Sequence, residues 1–294
     1  MRTELKKNNR CYFASDLHGH EDKYEKLFQF IFSSPPDLLL LGGDILPSGI
    51  FHFSAHTKKS HEFIHSFLIK NLSALRDKLK EDFPIIFLIP GNDDPKVEEI
   101  ELLEGEQLEL WTNLNSKKMK LGEYSFYGYP YVSPTPFRLK DWEKYDVSRY
   151  VDPGCISPEE GIRTVQVNEN TIRLTTIKND IEKLVGNDSM ENAICLFHSP
   201  PYKTNLDRAA LDGKMIDHVP LDVHVGSIAI KKFIEQEQPL LTLHGHIHES
   251  TSLTGKWQDK IGRTFCFNAA HHGRELSVIQ FKLDDIPNAK RFLI

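Results

Sequence analysis

"LLTLHGHIHES", residues 240–250, is a short apolar run that stops in three histidines at alternate positions, His244, His246 and His248. Imidazole is the commonest protein metal ligand, so a strand-like run ending this way places ligands where a buried strand stops. The same event recurs at four earlier points. "CYFAS" (11–15) runs into Asp16-Leu17-His18, and "DLLLL" (37–41) into Gly42-Gly43-Asp44. "IIFLIP" (85–90) runs into Gly91-Asn92-Asp93-Asp94, and "AICLF" (193–197) into His198. Each run has strand length and is apolar throughout, as expected of a strand covered on both faces.

Helical patterns fill the intervals. Tyr24, Leu27, Phe28 and Ile31 fall at helical spacing, and a longer apolar stripe runs from Phe63 to Leu79. Pro95 opens a short helix carrying Val97, Ile100 and Leu103. Ile177, Ile181 and Leu184 mark another, and Ser227 is placed to cap a helix through Ile230, Phe233 and Ile234. "RTFCFNAA" and "ELSVIQFKL" predict two further strands near the C-terminus. Apolar strands alternating with amphipathic helices predict an α/β fold with a buried sheet. Ligands in such sheets bind beyond the carboxyl ends of the strands, so one cleft is expected to gather all five polar ends. Residues 1–294 read as a single domain. Within it, 105–165 reads as an irregular insertion rich in aromatics and proline, with a hairpin over Lys118–Leu121 and Tyr124–Tyr127, and it is expected to form a cleft wall or lid.

The totals bound the function. Lys and Arg number 36 against 42 Asp and Glu, a formal net charge of −6, which argues against general nucleic-acid binding. No apolar run reaches the roughly 18–20 residues of a membrane span. The charged N-terminus, "MRTELKKNNRCYFASD", has no apolar signal segment. The cysteines, Cys11, Cys155, Cys195 and Cys266, show no CxxC spacing, and three of them sit inside apolar runs. Buried reduced thiols and a cytoplasmic location are therefore expected.

A donor set of Asp, Asn and His suits Mn, Fe, Zn or Co better than a thiolate site would. Alternation in Asp16-x-His18 and His246-x-His248 would put both side chains of each pair on one side of an extended segment. His244 would then point the other way, into the core or behind a ligand. Asp44, on a Gly-Gly turn, can approach two ions at once, and two ions about 3.5–4 Å apart suit in-line attack on phosphorus.

Taken in order, "DLH", "GGD", "GND", the lone His198 and "GHIH" resemble the motifs of the calcineurin-like metallophosphoesterase superfamily, from Asp16 to His248. Asn268-Ala269-Ala270 also lies where many members carry Asn-Pro-Gly. The resemblance implies a four-layer α/β/β/α sandwich. It implies that Asp16, His18 and His248 hold a first divalent metal ion, that Asn92, His198 and His246 hold a second, and that Asp44 bridges them. It also implies a dinuclear-metal hydrolase that cleaves a phosphodiester or small organic phosphate by attack of a metal-bridging hydroxide, with a small phosphorylated substrate as its partner.

One motif departs from the pattern. The family commonly has His after Gly-Asn, for transition-state stabilisation or leaving-group protonation, and this chain has Asp93 there, followed by Asp94. Two carboxylates would repel a phosphate, so the leaving-group acid is sought in Asp93 itself or in His20. Asn92 and Arg208 are the candidate substrate contacts; Arg208 suits either a phosphate clamp or a structural ion pair. His61 and His65, four apart on a helix, suit a solvated face or a metal pair. His271 and His272 follow the strand read in "RTFCFNAA" and either line the site or lie on the surface. The rival functions are a non-catalytic metal-binding scaffold of the same fold, a nuclease, and a mononuclear hydrolase acting on a carbon–nitrogen bond.

Overall fold

The structure is a computed structural model that describes residues 9–50 and 58–294. The charged N-terminal segment read above lies, up to residue 8, outside the described residues.

Two six-stranded mixed sheets stack face to face. The first holds β1 (Arg10–Ala14), β2 (Leu38–Gly42), β3 (Ile85–Ile89) and β4 (Thr112–Asn113) in parallel, with antiparallel β13 (Ser277–Lys282) and β14 (Asp285–Leu293) beyond β1. The second has a parallel centre of β6 (Tyr124–Tyr129), β7 (Ala193–Phe197), β10 (Leu241–His244) and β12 (Thr264–Asn268). Its edges are antiparallel β5 (Lys117–Leu121) and β11 (Gln258–Ile261). A two-residue ribbon, β8 (Met215–Ile216) with β9 (Val219–Pro220), stands apart from both.

Strand alternation sorts the side chains into layers. In β1 to β3, Cys11, Phe13, Leu38, Leu40, Ile85 and Phe87 pack between the sheets against Ile194, Leu196, Leu241 and Leu243. Their alternates Tyr12, Leu39, Leu41, Ile86 and Leu88 face an outer helical layer. That layer includes α1 (Glu21–Ser33), α2 (Lys58–Phe63), a π-helical stretch (Ile64–Ile69), α3 (Lys70–Leu79) and α4 (Glu99–Gln107). On the far side Cys195, Phe197 and Cys266 pack with α6 (Ile177–Val185) and α7 (Ile228–Glu237); a short α5 (Glu169–Leu174) precedes α6 and α8 (Ser250–Thr254) follows β10. The fold is thus an α/β/β/α sandwich, and both faces of both sheets are covered, which is why the strands read as continuous apolar runs.

Three sequence-based expectations are corrected. The five ligand-bearing strands do not share one sheet: β1, β2 and β3 belong to the first and β7 and β10 to the second. The insertion is irregular only past Tyr129, because α4, β4, β5 and β6 occupy most of its first part; the hairpin forms as expected, with Leu121 opposite Tyr124. The helix after Pro95 does not bury Ile100 and Leu103, which are 71% and 46% exposed; Leu102 is buried in their place, and Gly105 packs under Trp111. The remaining segment, 130–165, is held down by buried polar anchors. Trp142 donates from Nε1 to the Asp94 carbonyl (2.9 Å), and the wholly buried Lys140 pairs with Glu143 (2.5 Å). The aromatic residues of this region are mostly packing residues, Phe137 and Tyr150 being exposed exceptions. Cys11, Cys195 and Cys266 are buried free thiols, and Cys155 is free and half-buried. Among the described residues no helix is long and apolar enough to cross a membrane.

Candidate functional site

The ends of β1, β2, β3, β7 and β10 converge on one cleft of about 430 Å³. Two clusters of donors meet there. Asp16, His18 and His248 bring one ligand atom each within 4.8 Å of one another, and so do Asp44, His198 and His246. His248 Nε2 is 3.0 Å from Asp16 Oδ1 and 3.3 Å from His18 Nε2. Asp44 Oδ2 reaches toward both clusters, 3.2 Å from His198 Nε2 and 3.7 Å from His18 Nε2. Asn92 Oδ1 lies 3.1 Å from the same His198 nitrogen. All seven residues expected as metal ligands are therefore side by side. His246 and His248 fall into different clusters, with Ile247 between them turned into the protein.

The local geometry differs from the extended segments anticipated. Asp16 (φ +59°), His18 (φ +47°), Asp44 (φ +50°) and His246 (φ +72°) all have left-handed backbones. That conformation is uncommon for residues with a Cβ and costs of order 1–3 kcal/mol where it is held. The polar ends of β1, β2 and β10 are tight turns rather than continued strands. The turns interlock: Asp16 N donates to Gly43 O (3.0 Å), His18 N to Asp44 O (2.7 Å), and His246 N to Asp16 Oδ1 (3.0 Å). The motif glycines make room for this approach. A Cβ on Gly43, itself at φ +99°, would sit 2.5 Å from His198 Nδ1, and one on Gly245 would sit 2.5 Å from Asp16 Oδ2.

Neighbouring groups orient the donors. His198 is wholly buried and its Nδ1 faces Gly42 O at 2.8 Å, which as donor leaves Nε2 free toward Asp44 and Asn92. Asp93 Oδ2 is 3.1 Å from His18 Nδ1, while its Oδ1 accepts from Ser48 Oγ (2.6 Å). Asp94 faces away from the cleft; its carboxylate accepts from the amides of Ile45 (3.2 Å), Leu46 (2.7 Å) and Gly91 (2.8 Å) and thereby joins the Asp44 turn to the Asn92 turn. The feared pair of repelling carboxylates is thus reduced to one, and that one is bonded to an imidazole and a hydroxyl. His244 is buried behind the site, with Nδ1 2.9 Å from Ser199 O and Nε2 2.8 Å from Thr242 Oγ1.

The charges are interdependent. Burial opposes ionisation of Asp16 and Asp44, but the imidazoles beside them outweigh it and hold both carboxyls below the usual range. Burial likewise opposes charge on His18 and His198, yet Asp93 and Asp44 around the first, and Asp44 and Asp16 around the second, push both up to about 9. Burial and neighbouring His198 drive His246 down to about 3. Burial and Asp44 push Asp94 up to about 7. Without a metal, then, protons on His18 and His198 balance the carboxylates. The donor set of carboxylates, imidazoles and an amide fits divalent ions of the Mn, Fe, Zn and Co group.

The walls of the cleft include Ile50, Phe137 and Leu139 on its apolar side, and Glu249 and His272. Among its described lining residues there is no Lys or Arg. Arg208, expected either as a substrate contact or in a structural ion pair, is turned toward Asp212 (2.5 Å) and is not part of the lining. His20 stands exposed at the N-cap of α1, also outside the lining. His272 lines the cleft, whereas His271 pairs with Glu275 (3.4 Å) and Arg291 (3.2 Å). Asn268 is buried behind the cleft and donates to Leu206 O (2.9 Å) and Ser250 Oγ (3.1 Å). Sequence patterns pointed only weakly to His272 and not at all to Ser48 or Ile50, which carry no local signature.

The sequence profile of the calcineurin-like phosphoesterases matches residues 10–250. The chain belongs to that family. Solved structures share the fold at low sequence identity. One crystal structure is 18% identical over 98% of both chains, with a TM-score of 0.59. The protein TT1561 of Thermus thermophilus is 15% identical over 97% of this chain and 99% of its own, with a TM-score of 0.54. A dimetal phosphatase from Danio rerio is 9% identical over 93% of this chain and 92% of its own, with a TM-score of 0.50. No curated protein shows significant sequence similarity to the chain.

Proposed function

We propose that this family member is a hydrolase that cleaves a phosphodiester or small organic phosphate with the help of two divalent ions. The observation that carries the reading is Asp44, whose Oδ2 lies within reach of His198 in one donor cluster and His18 in the other. In this reading Asp16, His18 and His248 hold one ion, Asn92, His198 and His246 hold the other, and Asp44 serves both. Bound ions of this kind supply Lewis acidity that lowers the pKa of water and offsets charge on phosphate oxygens.

The chain's own residues supply the rest. Without Lys or Arg in the described lining, and with Asp44, Asp93 and Glu249 present, the bare cleft would reject an anion. Substrate binding is therefore metal-dependent, and a polyanionic nucleic acid finds no basic side chain in the described lining. Asp93 holds His18 in place and does not donate a proton. Ile50, Phe137 and Leu139 pack against the substituent of a small substrate, so 130–165 works as a wall. Among the described lining residues, His272 is the imidazole outside the two clusters, and we assign it protonation of the leaving oxygen, in place of His20. Buried free thiols suit a reducing compartment, and we place the protein in the cytoplasm as a single-domain enzyme.

The test uses the purified full chain loaded in turn with Mn, Fe, Zn and Co. Metal-dependent hydrolysis of bis-p-nitrophenyl phosphate, lost in Asp44→Asn and His198→Ala, is the expected result. Turnover that persists in both variants, or in the presence of a strong chelator, would overturn the reading.

A further inference from the structure

The outer helical layer carries a third cluster of donors. His61 lies in α2 and His65 in the π-helical stretch that continues it, four residues on, with ring centroids 4.6 Å apart. Residues four apart on a helix share a face. Glu101 of α4 meets both: Oε1 is 3.3 Å from His61 Nδ1, and Oε2 is 2.6 Å from His65 Nε2. The three ligand atoms lie within 4.8 Å of one another. None of these residues lines the cleft.

Hydrogen bonding leaves a place for a cation in this cluster. Glu104 Oε2 faces the other nitrogen of His65, Nδ1, at 3.1 Å. A neutral imidazole has one N–H, so a carboxylate at each nitrogen requires either a second proton or a cation at Nε2. A carboxylate accepting the N–H of a histidine whose other nitrogen binds metal is the usual arrangement around zinc. Two ligands about 2.1 Å from a tetrahedral zinc stand about 3.4 Å apart, close to the 3.3 Å between His61 Nδ1 and Glu101 Oε1. His61 is 56% exposed, which leaves a coordination position open to water.

We propose that His61, His65 and Glu101 form a zinc-type divalent cation site on the helical face, distinct from the cleft, with Glu104 orienting His65. The site does not depend on the activity proposed above. Its experiment counts zinc per chain in the full-length protein after gel filtration, and records the visible absorption of cobalt as a substitute. Wild type should hold one zinc more per chain than His65→Ala or Glu101→Gln, and its cobalt spectrum should lose a component in both variants. Glu104→Gln should retain the site with affinity lowered about 10–100-fold. Zinc should raise the melting temperature of wild type more than that of Glu101→Gln, a near-isosteric change that keeps the helices packed. Equal zinc content and equal cobalt spectra in wild type and both variants would overturn the proposal and leave protonated histidine–glutamate pairs as the account.

Discussion

Asp93 Oδ2 lies 3.1 Å from His18 Nδ1, so the residue that departs from the family motif is bonded to a histidine of the first donor cluster. The contact turns an apparent defect into a support. A carboxylate behind a metal-binding imidazole fixes its orientation, and loss of such a partner typically lowers metal affinity 10–100-fold. Asp93→Ala is expected to lose activity at limiting metal and to regain most of it at excess metal. If Asp93 were instead the proton donor, added metal would leave kcat low, and the metal-dependence curves would show it.

Asp44 stands between the clusters, and substitution there should be the most damaging single change. For Asp44→Asn we expect kcat/KM to fall by about 10³-fold or more, the several kcal/mol that paired ions contribute to charge stabilisation. Elemental analysis should show less than the wild-type metal content in the cleft, while circular dichroism stays unchanged.

Metal uptake should depend on pH with a definite sign. His18 and His198 are raised to about 9 in the metal-free chain and must lose their protons to bind an ion. Apparent metal affinity should therefore climb with pH up to about 9, by as much as tenfold per unit for each proton released, and level off above. The metal-free protein should behave oppositely. A raised histidine pKa stabilises the fold fully below the unfolded value of about 6.5, and that contribution is lost as pH rises through about 9. Thermal melts of chelated and metal-loaded protein across this window should diverge as pH rises; parallel curves would contradict the assignment.

Gly245 has no room for a side chain, because a Cβ would meet Ser15 and the Asp16 carboxylate. Overpacking of this kind typically costs about 1–3 kcal/mol, and here the displaced group is a proposed ligand. Gly245→Ala should lower the melting temperature modestly and activity severely. A variant that loses stability and keeps full activity at saturating metal would show that Asp16 can shift without consequence.

His272 should be felt through the leaving group. In His272→Ala, esters with a poor alkyl leaving group should slow by about 10²–10⁴-fold, the range for a lost general acid. Nitrophenyl esters, whose leaving oxygen needs no proton, should slow far less. Equal losses on both would assign His272 to binding.

Local pattern carried the five polar-ended strands, the hairpin and two C-terminal strands, and the order of the polar ends carried the family resemblance. The apolar runs of β1, β2, β3, β7 and β10 are legible because these strands are buried throughout or nearly so, and the polar residues that end them stand out for the same reason. The capping role of Ser227, whose Oγ accepts from Ile230 N at 3.1 Å, was legible because a cap is a contact between near neighbours. What the sequence leaves open is whatever depends on segments meeting across the chain. Parallel strands carry no mark of their neighbours, so the division of five ligand-bearing strands between two sheets emerged only from packing. The left-handed turns at Asp16, Asp44 and His246 hold because other turns bond to them, and an isolated segment gives no sign of that. The partners of Asp93, Arg208 and His65 were likewise decided by tertiary structure: an ionisable side chain's role is set by the charge it meets, and His18, Asp212 and Glu101 are brought to them only by the fold.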